Sequence, residues 1–295
     1  MSFKTAAEHL DIKKDLKSGV VLPLYNDFLR KRIEASKKTR GFTHFHPSAF
    51  GGCLRQMAYD YYAEKYPEKY AVETSITPDK QRIFDAGFAF HDRMQRDLGE
   101  LGILRGYWRC RGCNKVHGRG EEADPTQPIG IFMPETCDCN CAHGRKGSEL
   151  FEYVEIFLKS DSKYNFQGNT DGIVEIIKGD PDSRYIIDFK TVNSKKFSFM
   201  KKADEKYVVQ ATIYMWLTGV KKAVIYYEEK DAHNIKEYIV EYDEQLVEWI
   251  KNTSMKLKIL FDNGKIPSRN PKYKKSDFPC GWCDYSEICF EKDKK

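Results

Sequence analysis

Long hydrophobic runs are missing from this 295-residue chain. A membrane-spanning helix needs about 20 consecutive apolar residues, and no run in the sequence approaches that length. The first residues, MSFKTAAEHLDIKKDLKSG, are charged and lack the apolar core of a signal peptide. We therefore expect a cytoplasmic protein with no membrane association.

A strong net charge, internal repeats and low-complexity segments are also missing. The formal net charge is only +5, with 41% apolar and 32% charged residues. This composition is typical of a globular protein and excludes a disordered one. The small positive excess permits a polyanionic partner without requiring one.

Cysteine, by contrast, is abundant and unevenly distributed. In a reducing cytosol the nine cysteines are not expected to form disulfides. They fall into one internal group, one C-terminal group and a single upstream residue: Cys110, Cys113, Cys137, Cys139 and Cys141; Cys280, Cys283 and Cys289; and Cys53. Such clustering predicts metal sites.

Hydrophobic periodicity predicts an α/β protein with an irregular insertion. Residues 107–147 are rich in Gly, Pro and Cys and show neither helical nor strand periodicity, so we expect a metal-stabilised insertion there. The predicted helices cover 24–37, a segment starting at Ser48 with Cys53 near its start, 79–101, 205–219 and 243–264. The predicted strands cover 150–158, 169–177, 184–192, 222–230 and 236–242.

The stretch YIIDFKTVN, at 185–193, places a carboxylate and an ammonium two residues apart and so on one face of a strand. The turn sequence GDPDS predicts a hairpin in which 177 lies opposite 184 and 171 opposite 190. Asp171, Asp188 and Lys190 then converge on one face. The alternative is an edge-strand ion pair of little energetic value.

Two carboxylates held close together repel each other unless they are protonated or bridged by a cation. Oxygen ligands with positions open to water suit Mg²⁺ or Mn²⁺. Such an ion activates water and stabilises charge on a phosphodiester, and a nearby ammonium assists both effects. The hairpin therefore predicts a metal-dependent phosphodiesterase site.

The pattern GNTDG…DFK resembles the core of the PD-(D/E)XK nucleases. GFAFH, at 87–91, resembles the Gly-x-x-x-His motif of RecB-like exonucleases, and QATIY, at 210–214, resembles their Gln-x-x-x-Tyr motif. Each motif alone is unspecific, but all occur in the family's order. The resemblance covers the chain apart from its first 40 residues and the insertion. It implies a restriction-endonuclease-like core, with a mixed sheet flanked by helices.

The resemblance also implies the role of each motif residue. His91, Asp171, Asp188 and the carbonyl of Phe189 are expected to bind the catalytic metal ion. Lys190 is expected to position or activate water. Gln210 and Tyr214 are expected to contact the DNA strand or steady the site, with an ordinary structural pair within a helix as the alternative.

The C-terminal cysteines follow a C-x₂-C-x₅-C spacing and make four thiolates together with Cys53. Four thiolates suit either zinc or an iron–sulfur cluster, and the spacing does not choose between them. CLRQMAYDY with three C-terminal cysteines resembles the CRISPR-associated RecB-like exonucleases and the AddB nuclease domain. This resemblance implies a [4Fe–4S] cluster at Cys53, Cys280, Cys283 and Cys289, within a clasp over 266–295. Zinc on the same ligands is the alternative.

The internal cysteine group begins with a C-x₂-C knuckle at Cys110 and Cys113. A segment so rich in Gly and Pro buries too little apolar surface to fold alone, which favours a structural zinc ion. Its remaining ligands are drawn from Cys137 with Cys139 or Cys141, and His117 or His143 is a substitute. The expected role of the insertion is DNA guidance, partner docking or a lid.

Together these features predict one nuclease domain over 1–295. The resemblance implies a metal-dependent DNA exonuclease acting on single-stranded ends, in recombination, repair or phage DNA processing, in a bacterial or phage-infected cell. A recombination or replication protein is a candidate partner, and basic residues are expected to guide DNA: Lys195, Lys196, Lys201 and Lys202. The alternatives are a structure-specific endonuclease on the same core and a non-catalytic DNA-binding or assembly subunit.

Overall fold

The computed structural model describes residues 19, 21–35, 44–70, 72, 76–119, 129–139, 144–277 and 279–291. The predicted ligands Cys141 and His143 lie outside these ranges. No helix within them combines the length and apolar character needed to cross a bilayer.

The described parts of the chain contain ten α-helices and ten strands. The helices are α1 (Leu22–Ala35), α2 (Pro47–Phe50), α3 (Leu54–Lys65), α4 (Pro67–Tyr70), α5 (Pro78–Glu100), α6 (Gly147–Leu150), α7 (Ser194–Phe199), α8 (Glu205–Thr218), α9 (Glu244–Asp262) and α10 (Ser286–Glu291). The strands are β1 (Leu104–Cys110), β2 (Val116–His117), β3 (Ile131–Phe132), β4 (Phe151–Val154), β5 (Ile156–Lys159), β6 (Gln167–Thr170), β7 (Gly172–Glu175), β8 (Arg184–Val192), β9 (Lys222–Glu229) and β10 (Ile235–Glu241).

A mixed eight-stranded sheet forms the centre of the molecule, with strand order β10-β9-β8-β7-β1-β2 and with β3 and β4 also paired to β1. The β8 and β9 strands are parallel and are connected through α8, whereas the other ladders are antiparallel. Strands β5 and β6 form a separate two-stranded sheet. The predicted mixed α/β fold with a central sheet flanked by helices is confirmed.

Successive side chains of β8 point to opposite faces of the sheet. Apolar residues lie on both faces of this strand, and helices pack on both. Ile187 and Phe189 pack in a core cluster with Phe90 of α5. Ile186 packs on the other side in a cluster with Ala211 of α8. Asp188 therefore shares the α8 face with Ile186.

Helix α8 is buried along much of its length and ends where Gly219 adopts a left-handed conformation, with φ of 78°. Helix α9 starts at Asp243, whose side chain accepts hydrogen bonds from the backbone N–H groups of Gln245 and Leu246. Such N-caps satisfy donors that the first helical turn leaves free. Both helices match the sequence prediction closely.

Two predicted elements are wrong in detail. The helix expected to start at Ser48 is interrupted, and Cys53 is the N-cap residue of α3 rather than a residue within a helix. The insertion expected to lack strands starts with most of β1, a strand of the central sheet. Buried and half-buried residues alternate along β1, and Trp108 and Cys110 are among the buried ones. The Gly- and Cys-rich composition of the segment obscures this alternation.

The C-terminal segment docks on α3 through direct contacts. The guanidinium group of Arg55 donates hydrogen bonds to the carbonyl oxygens of Pro267 (2.9 Å) and Cys289 (3.4 Å). Tyr59 stacks on Tyr285, with ring centroids 5.2 Å apart. These contacts bring the helix that follows Cys53 next to the C-terminal cysteines.

Candidate active site

Asp188 and Lys190 lie side by side on β8, as the two-residue spacing predicts. Lys190 Nζ donates a hydrogen bond to Asp188 Oδ1 over 2.7 Å. Gln210 Nε2, from the facing helix α8, donates to the same oxygen over 3.0 Å. The strand and the crossover helix thus position one carboxylate between a cation and an amide.

The Asp188 carboxylate is almost completely buried, with 1% of the residue exposed. Its second oxygen, Oδ2, has no hydrogen-bond partner in the described part of the chain. Burial raises the pKa of Asp188 to about 7; the ammonium of Lys190 opposes this shift, and the charge of Asp171 adds to it. A buried acceptor without a donor is costly, and a cation at Oδ2 would satisfy it.

Lys190 keeps its proton although it is buried. Burial alone lowers the pKa of its ammonium, but the carboxylates of Asp188 and Asp171 outweigh burial and raise it. The ammonium also lies 4.6 Å from the ring centroid of Tyr207. The site therefore holds a fixed positive charge, which suits stabilisation of an anionic group.

Asp171 lies in the break between β6 and β7 and contacts two other elements. Its Oδ2 accepts a hydrogen bond from the backbone N–H of Phe189 over 2.7 Å. Its Oδ1 lies 3.6 Å from Nδ1 of His91 on α5. The residues of the upstream histidine motif and of the hairpin thus meet in space.

The predicted hairpin register is wrong by two residues. The ladder pairs Gly172 with Ile187 and Glu175 with Arg184, so the next position places Asp171 opposite Asp188 rather than Lys190. The chain leaves β7 at Glu175, and a 3₁₀ turn at Pro181–Ser183 closes a longer connection than the assumed turn. A shift by two residues preserves the face of the sheet, which is why the three side chains still converge.

Glu155 is a site residue that the motifs did not identify. Donor atoms of His91, Glu155 and Asp171 all lie within 4.8 Å of one another. The ladder between β5 and β6 pairs Ile156 with Thr170, so its next position places Glu155 opposite Asp171. Burial and then the charge of Asp171 raise the pKa of Glu155. The only sequence signal is an acid that interrupts the apolar stretch YVEIF.

Tyr214 lies one turn after Gln210 on α8, and both are buried. Its hydroxyl donates a hydrogen bond to the carbonyl oxygen of Asn169 over 2.6 Å, next to the break that carries Asp171. Burial raises the pKa of Tyr214, and the charges of Asp171 and Asp188 raise it further. Gln210 thus contacts the Asp188 carboxylate directly, whereas Tyr214 contacts the backbone two residues before Asp171.

The donor set fits a divalent cation with oxygen and imidazole ligands. His91, Glu155 and Asp171 have the donor spacing of a cation site, and Oδ2 of Asp188 is a buried acceptor without a partner. Carboxylate-rich sites of this kind favour Mg²⁺ or Mn²⁺ over softer metals.

The internal cysteine group converges as the knuckle spacing predicts. The sulfur atoms of Cys110 and Cys139, and those of Cys113 and Cys137, are each 3.7 Å apart. Tetrahedral zinc with Zn–S bonds of about 2.3 Å requires sulfur separations of about 3.8 Å. Cys139 is disulfide-bonded in the structure, contrary to the expectation that no disulfide forms, and it can act as a thiolate ligand only once reduced. His117 is a further donor, with Nε2 3.3 Å from Cys137 Sγ.

The C-terminal cysteines and Cys53 form a wider group. Burial raises the pKa of Cys280 and Cys283, and the charges of Cys53 and Cys289 raise it further. Yet no three of these described residues bring their sulfur atoms within 4.8 Å of one another. The spacing is wider than a single ion requires.

A family model describing the PD-(D/E)XK nuclease superfamily matches residues 43–290. The chain belongs to this superfamily. The match spans every element that builds the site, from His91 to Tyr214, as well as both cysteine groups. The predicted superfamily is thereby confirmed, and this nuclease belongs to a family whose members use divalent metal ions.

The nuclease is also similar to solved structures at low identity. The crystal structure of SSO0001 aligns with 92% of this chain and 96% of its own, at 14% identity and a TM-score of 0.43. An alkaline exonuclease (LHK-Exo) from Laribacter hongkongensis aligns with 38% of this chain and 57% of its own, at 16% identity and a TM-score of 0.31. Its complex with dAMP aligns with 37% of this chain and 55% of its own, at 17% identity and a TM-score of 0.31. No curated protein matches the nuclease significantly. Similarity at this level does not transfer an activity.

Proposed function

We propose that this protein is a Mg²⁺- or Mn²⁺-dependent deoxyribonuclease that degrades DNA from single-stranded ends. The observation that carries this proposal is the row of carboxylates from Glu155 through Asp171 to Asp188, flanked by His91 and by the ammonium of Lys190. A row of acids, with Asp188 buried and Glu155 and Asp171 partly exposed, beside a fixed cation suits hydrolysis of a phosphodiester bond.

The bound ion would supply an activated water and offset the charge that develops on the phosphate. Asp171, Asp188, His91 and the Phe189 carbonyl would hold it, and Glu155 would complete the group. Lys190 would hold the attacking water or the anionic phosphate oxygen through its ammonium. Gln210 would keep the Asp188 carboxylate in place through its hydrogen bond to Oδ1.

Digestion of end-labelled DNA with Mn²⁺ tests the proposal against its alternatives. We expect linear single strands to be shortened from an end while closed circles remain intact. Cutting of circles would favour the structure-specific endonuclease. Binding without cutting in either metal would favour the non-catalytic subunit in recombination or replication.

We expect Glu155→Gln to raise the Mn²⁺ concentration for half-maximal activity by about 10- to 100-fold, the usual effect of losing a group that supports a metal site. The amide keeps the size of the side chain but removes its charge beside His91 and Asp171. Activity is measured over a Mn²⁺ titration. The exposed acid Glu149 provides a control, and Glu149→Gln should leave the titration unchanged. An unchanged titration for Glu155→Gln would remove this residue from the site.

DNA binding should weaken with salt, with a log–log slope of about −0.7 per contacted phosphate of a single strand. The predicted lysines lie on α7 and the segment that joins it to α8, between Lys190 and Gln210. Lys196 and Lys202 form ion pairs with Asp204 and Glu205.

Lys195 and Lys201 are exposed and form no ion pair within the described part of the chain. Replacing both by alanine should therefore flatten the salt dependence measured by fluorescence anisotropy, whereas Lys272→Ala in the C-terminal segment should not. A salt-independent affinity of the wild type would contradict guidance by lysines.

We further infer that the two cysteine groups hold different metals. Sulfur spacings of 3.7 Å support zinc at Cys110, Cys113 and Cys137, with Cys139 or His117 as the fourth ligand. We assign a [4Fe–4S] cluster to Cys53, Cys280, Cys283 and Cys289 because this arrangement of cysteines along the chain resembles that of the iron–sulfur RecB-like exonucleases.

A further inference from the structure

A cleft of about 570 Å³ lies between α5 and strands β1 and β4. This volume is within the range of ligand-binding sites. Arg93 and Arg96 line the cleft from α5, and Arg111 lines it from the knuckle between Cys110 and Cys113. Their side chains are 44%, 55% and 48% exposed, and each pairs with a carboxylate: Arg93 with Glu228, Arg96 with Asp97 and Arg111 with Glu152. Such partly exposed ion pairs contribute little energy, so the guanidinium groups of Arg96 and Arg111 can turn towards a ligand.

The cleft and the carboxylate row share a wall. Gln95 lines the cleft, and its Nε2 donates a hydrogen bond to the carbonyl oxygen of Asp171 over 2.9 Å. Tyr153 also lines it and lies two residues before Glu155 in the chain. Gln95 therefore separates a ligand in the cleft from Asp171 of the candidate active site.

Arginines outnumber carboxylates among the residues that line the cleft. Two carboxylates, Asp92 and Glu152, accompany the three arginines. Glu152 is already offset, because it accepts hydrogen bonds from Arg109 over 2.6 Å and from Arg111 over 3.3 Å. Guanidinium groups present paired N–H donors that match phosphate oxygens.

The knuckle fixes the position of Arg111 through its backbone. The N–H of Arg111 donates to the carbonyl of Leu150 over 2.8 Å, and the N–H of Cys110 donates to the carbonyl of Lys115 over 2.8 Å. The flanking residues Cys110 and Cys113 belong to the group of sulfurs that could hold an ion. Loss of that ion would release the loop that carries Arg111.

We propose that this cleft binds a phosphate group of the DNA strand beside the active site, and that the cysteine-rich insertion positions Arg111 for that contact. The proposal rests on the proposed nuclease function. It gives the insertion a role in DNA guidance rather than as a lid or a partner-docking site.

The test compares Arg96→Ala and Arg111→Ala with Arg109→Ala. Arg109 is a matched control because it lies on β1, is 43% exposed and pairs with the same Glu152, yet does not line the cleft. Binding of a single-stranded oligonucleotide is measured by fluorescence anisotropy in the Asp188→Asn background, which prevents cutting.

We expect Arg96→Ala and Arg111→Ala each to weaken binding about tenfold, as for a lost charge-assisted hydrogen bond. Each should also lower the salt slope by about 0.7. Arg109→Ala should change affinity less than about twofold, as expected for an arginine that contributes only to a surface ion pair. Cys113→Ala should weaken binding as much as Arg111→Ala does.

Oligonucleotides with a 5′-phosphate, a 3′-phosphate, no end phosphate and a closed circular form identify which phosphate binds. If Arg96→Ala and Arg111→Ala lose affinity for only one end-phosphorylated oligonucleotide, the cleft binds that terminal phosphate. If they lose affinity equally for all four oligonucleotides, the cleft binds an internal phosphate. Both results support the cleft as a phosphate site.

If Arg96→Ala, Arg111→Ala and Arg109→Ala bind DNA with equal affinity while the wild type still cuts DNA, the cleft proposal is wrong and the proposed function stands. A wild type that neither binds nor cuts DNA would overturn the proposed function and the cleft with it. Arg96→Ala on the long helix α5 keeps the test decisive if Arg111→Ala disturbs the folding of the knuckle.

Discussion

Asp188→Asn and Lys190→Met should each lower the rate of DNA cleavage by at least about 10²–10³-fold, the scale of losing one preorganised charge-stabilising group. Asparagine keeps the oxygen that accepts from Gln210 but removes the charge that would hold the metal ion. Methionine keeps the volume of the lysine stem and removes the ammonium 2.7 Å from Asp188 Oδ1. Single-turnover cleavage of end-labelled DNA in saturating Mn²⁺ measures both effects.

DNA affinity and thermal unfolding should change little in these variants, since neither substitution removes much packing. Asp182→Asn is a suitable control because this acid is exposed in the turn that precedes β8. Cleavage by either active-site variant at close to the wild-type rate would show that the carboxylate row is not the catalytic centre.

Cys283→Ala should remove iron and visible colour from anaerobically purified protein and lower the unfolding temperature of the whole domain by roughly 10 °C or more. The reason is loop closure: a cluster joining Cys53 to Cys280 closes a loop of 280 − 53 = 227 residues. The stacking of Tyr59 on Tyr285 and the hydrogen bonds of Arg55 would hold the segment only in part.

Cys113→Ala is the matched variant in the other cysteine group. It should remove zinc, keep the iron and leave the unfolding temperature of the core nearly unchanged, because its ligands close only a short loop. Elemental analysis, absorption spectra and thermal melts of both variants separate the sites. Colourless wild-type protein with about two zinc ions and no iron would refute the cluster.

The motif residues could be identified from sequence because their spacing reflects local backbone geometry. Asp188 and Lys190 share a face since strand side chains alternate, and Gln210 and Tyr214 share a face since a helix turns every 3.6 residues. The mixed α/β core follows from the hydrophobic patterns and the superfamily from the resemblance of the motifs, and both are confirmed. The roles of these residues and the identities of the metals remain predictions.

Features that depend on pairing between distant segments could not be found in this way. The hairpin register was misplaced by two residues because the turn sequence GDPDS does not show how far each strand extends. The composition of residues 107–147 concealed β1, whose strand character comes from its place in the central sheet. Arg111 lies within the C-x₂-C knuckle, but nothing in that motif indicates that it lines a cleft next to the active site.

By itself, the sequence determined the groups of functional residues that lie close together in the chain: the acid and lysine on β8, the cysteine knuckle and the C-terminal cysteine triplet. Only the tertiary structure decided that Glu155, Asp171 and Asp188 form one row, because that row depends on two separate ladders in register, β5 with β6 and β7 with β8. Register is a property of strand pairs, set by packing across the whole sheet, and no single segment contains it.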